Sequence, residues 1–376
     1  MSIINCQLRD VVELAYGKSL PERNRKEGTV PVYGSGGIGG YHSVPLVEGP
    51  GVIVGRKGTV GSVYFEKHDF FPIDTVYFVR PFIEKISLEY SYYLLKNLPL
   101  ASLNSDAAVP GLNRDRAYSL PIRLPSLDQQ SRIVDFLRQY DDLIENNRRR
   151  IQLLEESARL LYQEWFIHLR FPGHEQVKIT DGVPEGWEMK PISSLGRVIT
   201  GKTPSTKNAA YYGDDVPFIK TPDMHGNVFV VSTSQSLSES GSKSQQSTLL
   251  PSGCIMVSCI GTVGVVSINP VEAHTNQQIN SVIPENKHFL EFLFCGLKKI
   301  KPMLEAIGAS STMNNVNKSK FSSIEILVPS ERLITEFHFA VASTFELILS
   351  FQKQNLALAK ARDLLLPKLM NGELAV

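Results

Sequence analysis

Gly51-Val52-Ile53-Val54, followed by Gly58-Thr59-Val60-Gly61, is written a second time as Gly253-Cys254-Ile255-Met256, followed by Gly261-Thr262-Val263-Gly264, about 203 residues further along the chain. An internal repeat decides architecture more firmly than any short motif, because each copy must be one structural unit. The echo continues outward. Leu112-Asn113-Arg114 matches Val316-Asn317-Lys318, and Ile122-Arg123-Leu124-Pro125-Ser126 matches Ile326-Leu327-Val328-Pro329-Ser330, at nearly the same offset. Gly17-Lys18-Ser19 matches Gly201-Lys202-Thr203 at an offset of only about 184, which predicts an insertion of roughly twenty residues in the second copy, around the Ser-rich stretch from Ser232 to Ser247.

Each copy reads as a strand-rich part with many Gly and Pro turns, followed by a long helical run. In the first run Ile133, Leu137, Tyr140, Ile144, Asn147, Ile151, Leu154, Ala158, Leu161 and Trp165 alternate steps of four and three, a heptad seam. The second run, Phe337, Val341, Thr344, Ile348, Phe351, Asn355, Leu358, Arg362, Leu365 and Leu369, keeps that register less cleanly. Pro125-Ser126 and Pro329-Ser330 supply matching start signals. Runs of about 33 residues predict helices roughly 50 Å long. A helix with one apolar seam needs a partner, and the nearest is the other copy. An antiparallel pairing aligned at the helix centres puts Asn147 opposite Asn355, a polar pair that would set register. The alternative is two core helices of one compact domain.

With 376 residues, 42% hydrophobic and 20% charged, the chain is long enough for two or three cores. No basic region followed by an apolar run opens it, and nowhere do eighteen apolar residues follow one another. A cytoplasmic protein without a membrane partner is the expectation. Cys6, Cys254, Cys259 and Cys295 are too scattered for a disulfide framework or a zinc site and read as reduced core thiols. The formal charge of +1 gives no overall nucleic-acid footprint, so any DNA contact must rest on local arrangement.

Two spellings look catalytic. Gly196-Arg197-Val198-Ile199-Thr200-Gly201-Lys202-Thr203 satisfies the phosphate-binding pattern G-x-x-x-x-G-K-[ST]. A true P-loop follows a buried strand and opens a long helix, whereas Pro204 follows here, and the first copy has Val12 in place of the leading Gly. The reading is a repeated turn. Pro222-Asp223 with the distant Glu285-Asn286-Lys287 spells a loose nuclease signature, but solvated loop charges account for it better. His42, His225 and His274 lack ligand-like spacing, so no metal is expected. A self-sufficient metal-dependent nuclease or NTPase acting on DNA is the runner-up these spellings leave.

DNA contact is more plausible on the turns. Tyr33 to His42, rich in glycine, reads as a flexible loop on which Ser35, Tyr41 and His42 could meet phosphate. Arg56 and Lys57 sit on a glycine-bounded turn suited to a base edge or a phosphate, the alternative being a hairpin with solvated charges. The second copy offers Lys202, Thr203, Ser205, Thr206, Lys207, Lys220, Thr221, Asn276, Gln277 and Gln278, and Arg114 with its counterpart Lys318 completes the candidate set.

At this point the chain resembles the specificity subunits of type I restriction-modification enzymes over nearly its whole length. The resemblance is carried by Gly201-Lys202-Thr203-Pro204-Ser205-Thr206-Lys207-Asn208, Tyr211 to Ile219, Val183-Pro184-Glu185-Gly186-Trp187-Glu188, Leu112-Asn113-Arg114, Gln129-Gln130 and the ending Leu364 to Leu374. Lys202 stands where the family commonly has Gly. The resemblance implies an α+β fold of two strand-rich α/β target recognition domains in pseudo-twofold arrangement, separated by two long antiparallel helices forming a coiled coil. The expected boundaries are 1–128, 129–170 for the central helix, 171–330, and 331–376 for the C-terminal helix. The expected seam comprises Ile133, Leu137, Ile144, Asn147, Ile151, Leu154, Leu161, Ile348, Phe351, Asn355, Leu358 and Leu365. The resemblance further implies a non-catalytic reader of a bipartite site in double-stranded DNA. Two methylation subunits would carry S-adenosylmethionine, and restriction subunits would carry ATP and Mg²⁺. The stalk would dock the methylation subunits, with Arg148, Arg149 and Arg150 either on its rim or simply solvated.

Overall fold

Val52, Ile53 and Val54 are fully buried, and the reason is visible in where alternate side chains go. In the computed structural model, which describes residues 3–103, 111–309 and 315–376, Val52 and Val54 enter one apolar cluster with Leu14, Tyr77 and Val79. Ile53 points the other way, into a second cluster with Tyr33 and Phe70. A strand sandwiched on both faces needs an unbroken apolar run rather than alternation. The repeat obeys the same rule: Ile255 and Val257 join one core, Met256 another.

The contacts divide the chain into two compact units, Met1–Asp142 with Leu358–Val376, and Leu143–Ala357. In the first, the strands Val12–Tyr16, Val76–Pro81, Gly51–Gly55 and Val63–Glu66 form an antiparallel sheet in that spatial order. In the second, Gly196–Thr200, Ile279–Pro284, Ile255–Ser258 and Val266–Ile268 form the same sheet in the same order. Each unit also pairs an early strand with a late one, Ile4–Gln7 with Pro121–Leu124 and Glu188–Pro191 with Glu325–Val328. The repeated Gly-Thr-Val-Gly is a turn in both units, with positive φ at Gly58, Gly61, Gly261 and Gly264, a region costly for any residue with a Cβ. The Ser-rich stretch supplies the helix Glu239–Lys243 to the second unit, while its short strand Ser236–Leu237 pairs with Val216–Ile219 as Gly37–His42 pairs with Val30–Gly34 in the first.

That helix is held down by a buried histidine. His274 Nε2 lies 2.9 Å from Ser242 Oγ, and Nδ1 lies 3.4 Å from Thr248 Oγ1. Burial lowers its pKa below the ordinary 6.5. The unfolded chain therefore takes up a proton that the folded one resists, so stability is complete above pH 6.5 and declines as pH falls from there toward the lowered folded value. Denaturant midpoints between pH 7.5 and 5.5 are expected to show a slope of at most about 1.4 kcal/mol per pH unit from this group, absent in His274→Gln. An equal slope in the variant would refute the assignment.

Two 40-residue helices, Leu127–Phe166 and Glu331–Met370, exceed the expected length. Ser126 Oγ and Ser330 Oγ accept the amides of Gln129 and Leu333, as the start signals predicted. Within the second unit the helices run antiparallel: Asn147 meets Gln354, Arg150 lies over the Phe351 ring, and Tyr162 and Trp165 pack on Phe337. Within the first unit Asp141 pairs with Arg362 in the same sense. Of the seam residues, Ile133, Leu137, Ile144, Asn147 and Ile348 are buried, while Ile151, Leu154, Leu161, Phe351, Asn355, Leu358 and Leu365 are half-buried.

The cross-helix contacts fit the alignment at the helix centres, and the differences from expectation are local. Asn147 Nδ2 donates at 3.4 Å to Oε1 of Gln354, the neighbour of Asn355, whose buried Oδ1 has no hydrogen-bond partner. Phe345 also replaces Thr344 as the buried residue of its turn, because there the helix faces Phe229 and Phe294 of its own unit. The Glu331–Met370 helix is, by length and composition, apolar enough to cross a membrane. Its apolar content has a local explanation, since Leu333, Ile334, Phe337, Val341, Phe345 and Ile348 all lie in the core of the second unit.

Candidate nucleic-acid interface

Gly17 and Gly201 end the first strands of the two sheets, and both make the same turn. Gly17 and Lys18 amides donate to the carbonyls of Val76 and Pro72; those of Gly201 and Lys202 donate to Ile279 and Thr275. An added Cβ at Gly17 would strike the Ile73 and Pro72 carbonyls, and at Gly201 those of Asn276 and Thr275, so only glycine fits. Gly196–Thr200 is thus a sheet strand paired with Ile279–Pro284, not a phosphate loop. Asp223 accepts the Lys220 and Ser234 amides on its two oxygens, which caps a turn. Among the described residues no three His, Cys, Asp or Glu side chains converge as metal ligands would.

Beside the first turn the structure gathers four residues that lie far apart in sequence. Tyr16 and Tyr77 are cross-strand partners with ring centroids 5.0 Å apart. The Arg56 guanidinium lies 4.9 Å from the Tyr16 centroid and 5.8 Å from that of Tyr77. Arg114 lies 5.0 Å from Tyr16 and 5.8 Å from Tyr118. Arg56 Nη1 donates to the Asp74 carbonyl at 2.9 Å, and among the described residues neither guanidinium has a carboxylate partner. Burial pushes the Tyr77 hydroxyl up to about 12, so it stays protonated and donates to the Leu112 carbonyl at 3.2 Å. Asn113 caps the short helix that carries Arg114.

The second unit keeps this frame and changes its contents. Leu112 N donates to Arg56 O at 2.8 Å, and Val316 N to Cys259 O at 2.9 Å. The Tyr77 hydroxyl bond to Leu112 is replaced by Asn280 Nδ2 to Val316 O at 3.1 Å. Tyr16 against Tyr77 becomes Thr200 Oγ1 donating to Asn280 Oδ1 at 2.6 Å. Arg114 becomes Lys318, exposed behind its cap Asn317. The surrounding amides are ordered: Thr203 Oγ1 donates to Gln277 Oε1 at 2.5 Å, and Asn276 Nδ2 to Gln278 Oε1 at 3.1 Å.

Several candidates from sequence change standing. Ser35 and His42 are buried and engaged in structure: Ser35 Oγ accepts the Thr59 amide, and His42 Nδ1 accepts the Lys26 amide. Tyr33 to His42 is no flexible loop but a hairpin of Val30–Gly34 with Gly37–His42, leaving Tyr41 exposed. Thr221 is buried as well. Lys57, Lys202, Ser205, Thr206, Lys207 and Gln277 are exposed, and Lys220 is half-buried over the Phe218 ring. Sequence reasoning missed Tyr16 and Tyr77; laying Tyr16-Gly17-Lys18 over Thr200-Gly201-Lys202 was the signal that could have found the first.

Comparison with known proteins bears on the whole chain. The family described as type I restriction modification DNA specificity domain matches residues 5–156 and 184–348. The type I restriction enzyme HindI specificity subunit of Haemophilus influenzae is 36% identical over 327 residues, 70% of this chain and 71% of that protein. The MjaIX specificity subunit of Methanocaldococcus jannaschii is 27% identical over 341 residues, 86% of this chain and 78% of that one. In fold, the crystal structure of the type I restriction-modification S subunit from M. genitalium superimposes with a TM-score of 0.58 at 15% identity, covering 98% of this chain and 96% of that one.

Proposed function

Because the chain belongs to the type I restriction-modification DNA specificity family, we propose that its two units each read one half of a bipartite site in double-stranded DNA and that it does so without a catalytic centre of its own. The observation that carries this reading is the repeated frame with altered contents. Phosphate and sugar contacts position a protein, whereas base-edge contacts specify sequence. One scaffold used twice with different side chains at matched positions, Arg56 against Cys259 and Tyr77 against Asn280, suits two different half-sites. Lys57, Lys202, Lys207, Lys220, Gln277 and Gln278 are the further contacts proposed beside the turns.

Methylation would come from partner subunits carrying S-adenosylmethionine, two per chain, and cleavage from restriction subunits using ATP and Mg²⁺, in the cytoplasm where cellular DNA lies. The long helices are the proposed docking surface. They expose Leu143, Leu153 and Leu160 on one helix and Phe339 and Leu347 on the other, apolar side chains that a partner could cover. Arg148 pairs loosely with Glu145 at 3.8 Å, which suits a solvated rim.

Producing the chain with its methylation subunit and mapping methylated adenines on random DNA tests the reading. Modification confined to one two-part sequence is expected. Methylation spread evenly over all sequences, or DNA cleavage or ATP turnover by the purified chain alone, would refute it.

A further inference from the structure

We propose that Arg56, held in place by Tyr16, is the base-reading residue of the first unit and recognises a guanine, whereas Arg114 and its counterpart Lys318 contact phosphate in both half-sites; this rests on the half-site reading above. The division follows from comparing matched positions. Residue 114 of the first unit and residue 318 of the second are both cations, on helices capped by Asn113 and Asn317. A charge kept in both units suits the DNA backbone, which is the same at every sequence. Residue 56 changes from arginine to the buried, neutral Cys259, although the backbone around it is unchanged, with the 2.8 Å and 2.9 Å bonds from Leu112 and Val316 matching. A contact present in one unit only suits a feature present in one half-site only.

Geometry points the same way. A phosphate contact needs charge near the right place, while bidentate reading of guanine N7 and O6 needs a guanidinium plane held in a set orientation. Arg56 is held by the Tyr16 ring at 4.9 Å and by the Asp74 carbonyl on Nη1, which leaves its remaining N–H donors without protein partners among the described residues. Tyr16 is 49% exposed at the end of its strand, so it acts as a positioning residue on the surface rather than as core. Thr200 takes its place in the second unit and donates to Asn280, so the matched position offers no ring to orient a guanidinium.

The test uses the full chain assembled with its methylation subunits, bound at two salt concentrations to a DNA pool with every base of both half-sites randomised. The wild type is expected to prefer guanine at one position of a single half-site. Arg56→Lys keeps the charge but loses the planar fork, and is expected to reduce that preference about tenfold or more while leaving the other half-site untouched. Tyr16→Leu is expected to give a smaller loss at the same position, with Tyr16→Phe restoring it because the ring suffices. Arg114→Ala is expected to weaken all sequences alike and to lower the salt slope by about one. Wild-type preference retained in Arg56→Lys, or an even loss over all sequences in Arg56→Ala, makes Arg56 a phosphate contact and overturns the proposal alone. A wild type selective in both half-sites through positions that ignore Arg56 also overturns it alone. A wild type with no preference anywhere overturns the half-site reading and this inference together.

Discussion

Phe337→Ala is expected to destabilise the Leu143–Ala357 unit by about 3–5 kcal/mol, the usual loss when a buried phenylalanine is truncated and its cavity cannot collapse. Phe337 is fully buried. Its ring meets Tyr162 at 6.0 Å, Trp165 at 5.8 Å and Phe166 at 5.1 Å, all on the facing helix. Phe166 in turn packs on Trp187 and Phe292, so the cavity would open among rings too large and too constrained to refill it. Urea unfolding followed by the fluorescence of Trp165 and Trp187 would report the change directly. A loss below about 1 kcal/mol would mean that this aromatic cluster is not the core of the unit.

Asp141→Ala is expected to be nearly as damaging to the other unit, about 2–3 kcal/mol, somewhat less than the cost of breaking a fully buried pair because both groups retain some solvent. The Asp141 carboxylate accepts from Arg362 Nη1 and, at 2.6 Å, from the Tyr93 hydroxyl. Only 13% of the Arg362 side chain is exposed. Burial, and then the bond to Asp141, raises the Tyr93 hydroxyl well above its ordinary range, so it remains a donor. Without the carboxylate, Arg362 keeps only its neighbour Asp363, to which Nε and Nη2 donate at 2.9 and 2.8 Å, and the Tyr93 hydroxyl loses its acceptor. Asp141→Leu combined with Arg362→Met should recover most of the loss, since replacing both partners leaves no orphaned charge. If the double variant is as unstable as Asp141→Ala, the ion pair is not the cause.

These two sites show how far sequence reasoning reaches. The heptad count placed both Phe337 and Arg362 on the seam. It could not say that the first would meet an aromatic cluster while the second would find a carboxylate, because periodicity reports which face a residue occupies and nothing about what covers that face. Ser35 and His42 misled because small and polar residues in a glycine-rich stretch read equally well as surface loop or as hairpin. Only the strand Val30–Gly34 pairing with Gly37–His42 decided between them.

By itself the amino-acid sequence determined the duplication, which is spelled out in repeated residues, and the apolar strands, the glycine turns at Gly58 and Gly261 and the two long helices, because each of these last is local: a run of apolar side chains, a φ that only glycine tolerates, a repeat of 3.5 residues. Tertiary structure alone decided which side chains act together. Tyr16, Arg56, Tyr77 and Arg114 spread over about a hundred residues and become neighbours only when the Val12–Tyr16 and Val76–Pro81 strands pair and the Gly55-to-Gly58 turn and the Asn113-capped helix close against their ends. Side-chain chemistry is written residue by residue, whereas a recognition surface is a product of chain closure, so its members carry no common mark until the chain has folded.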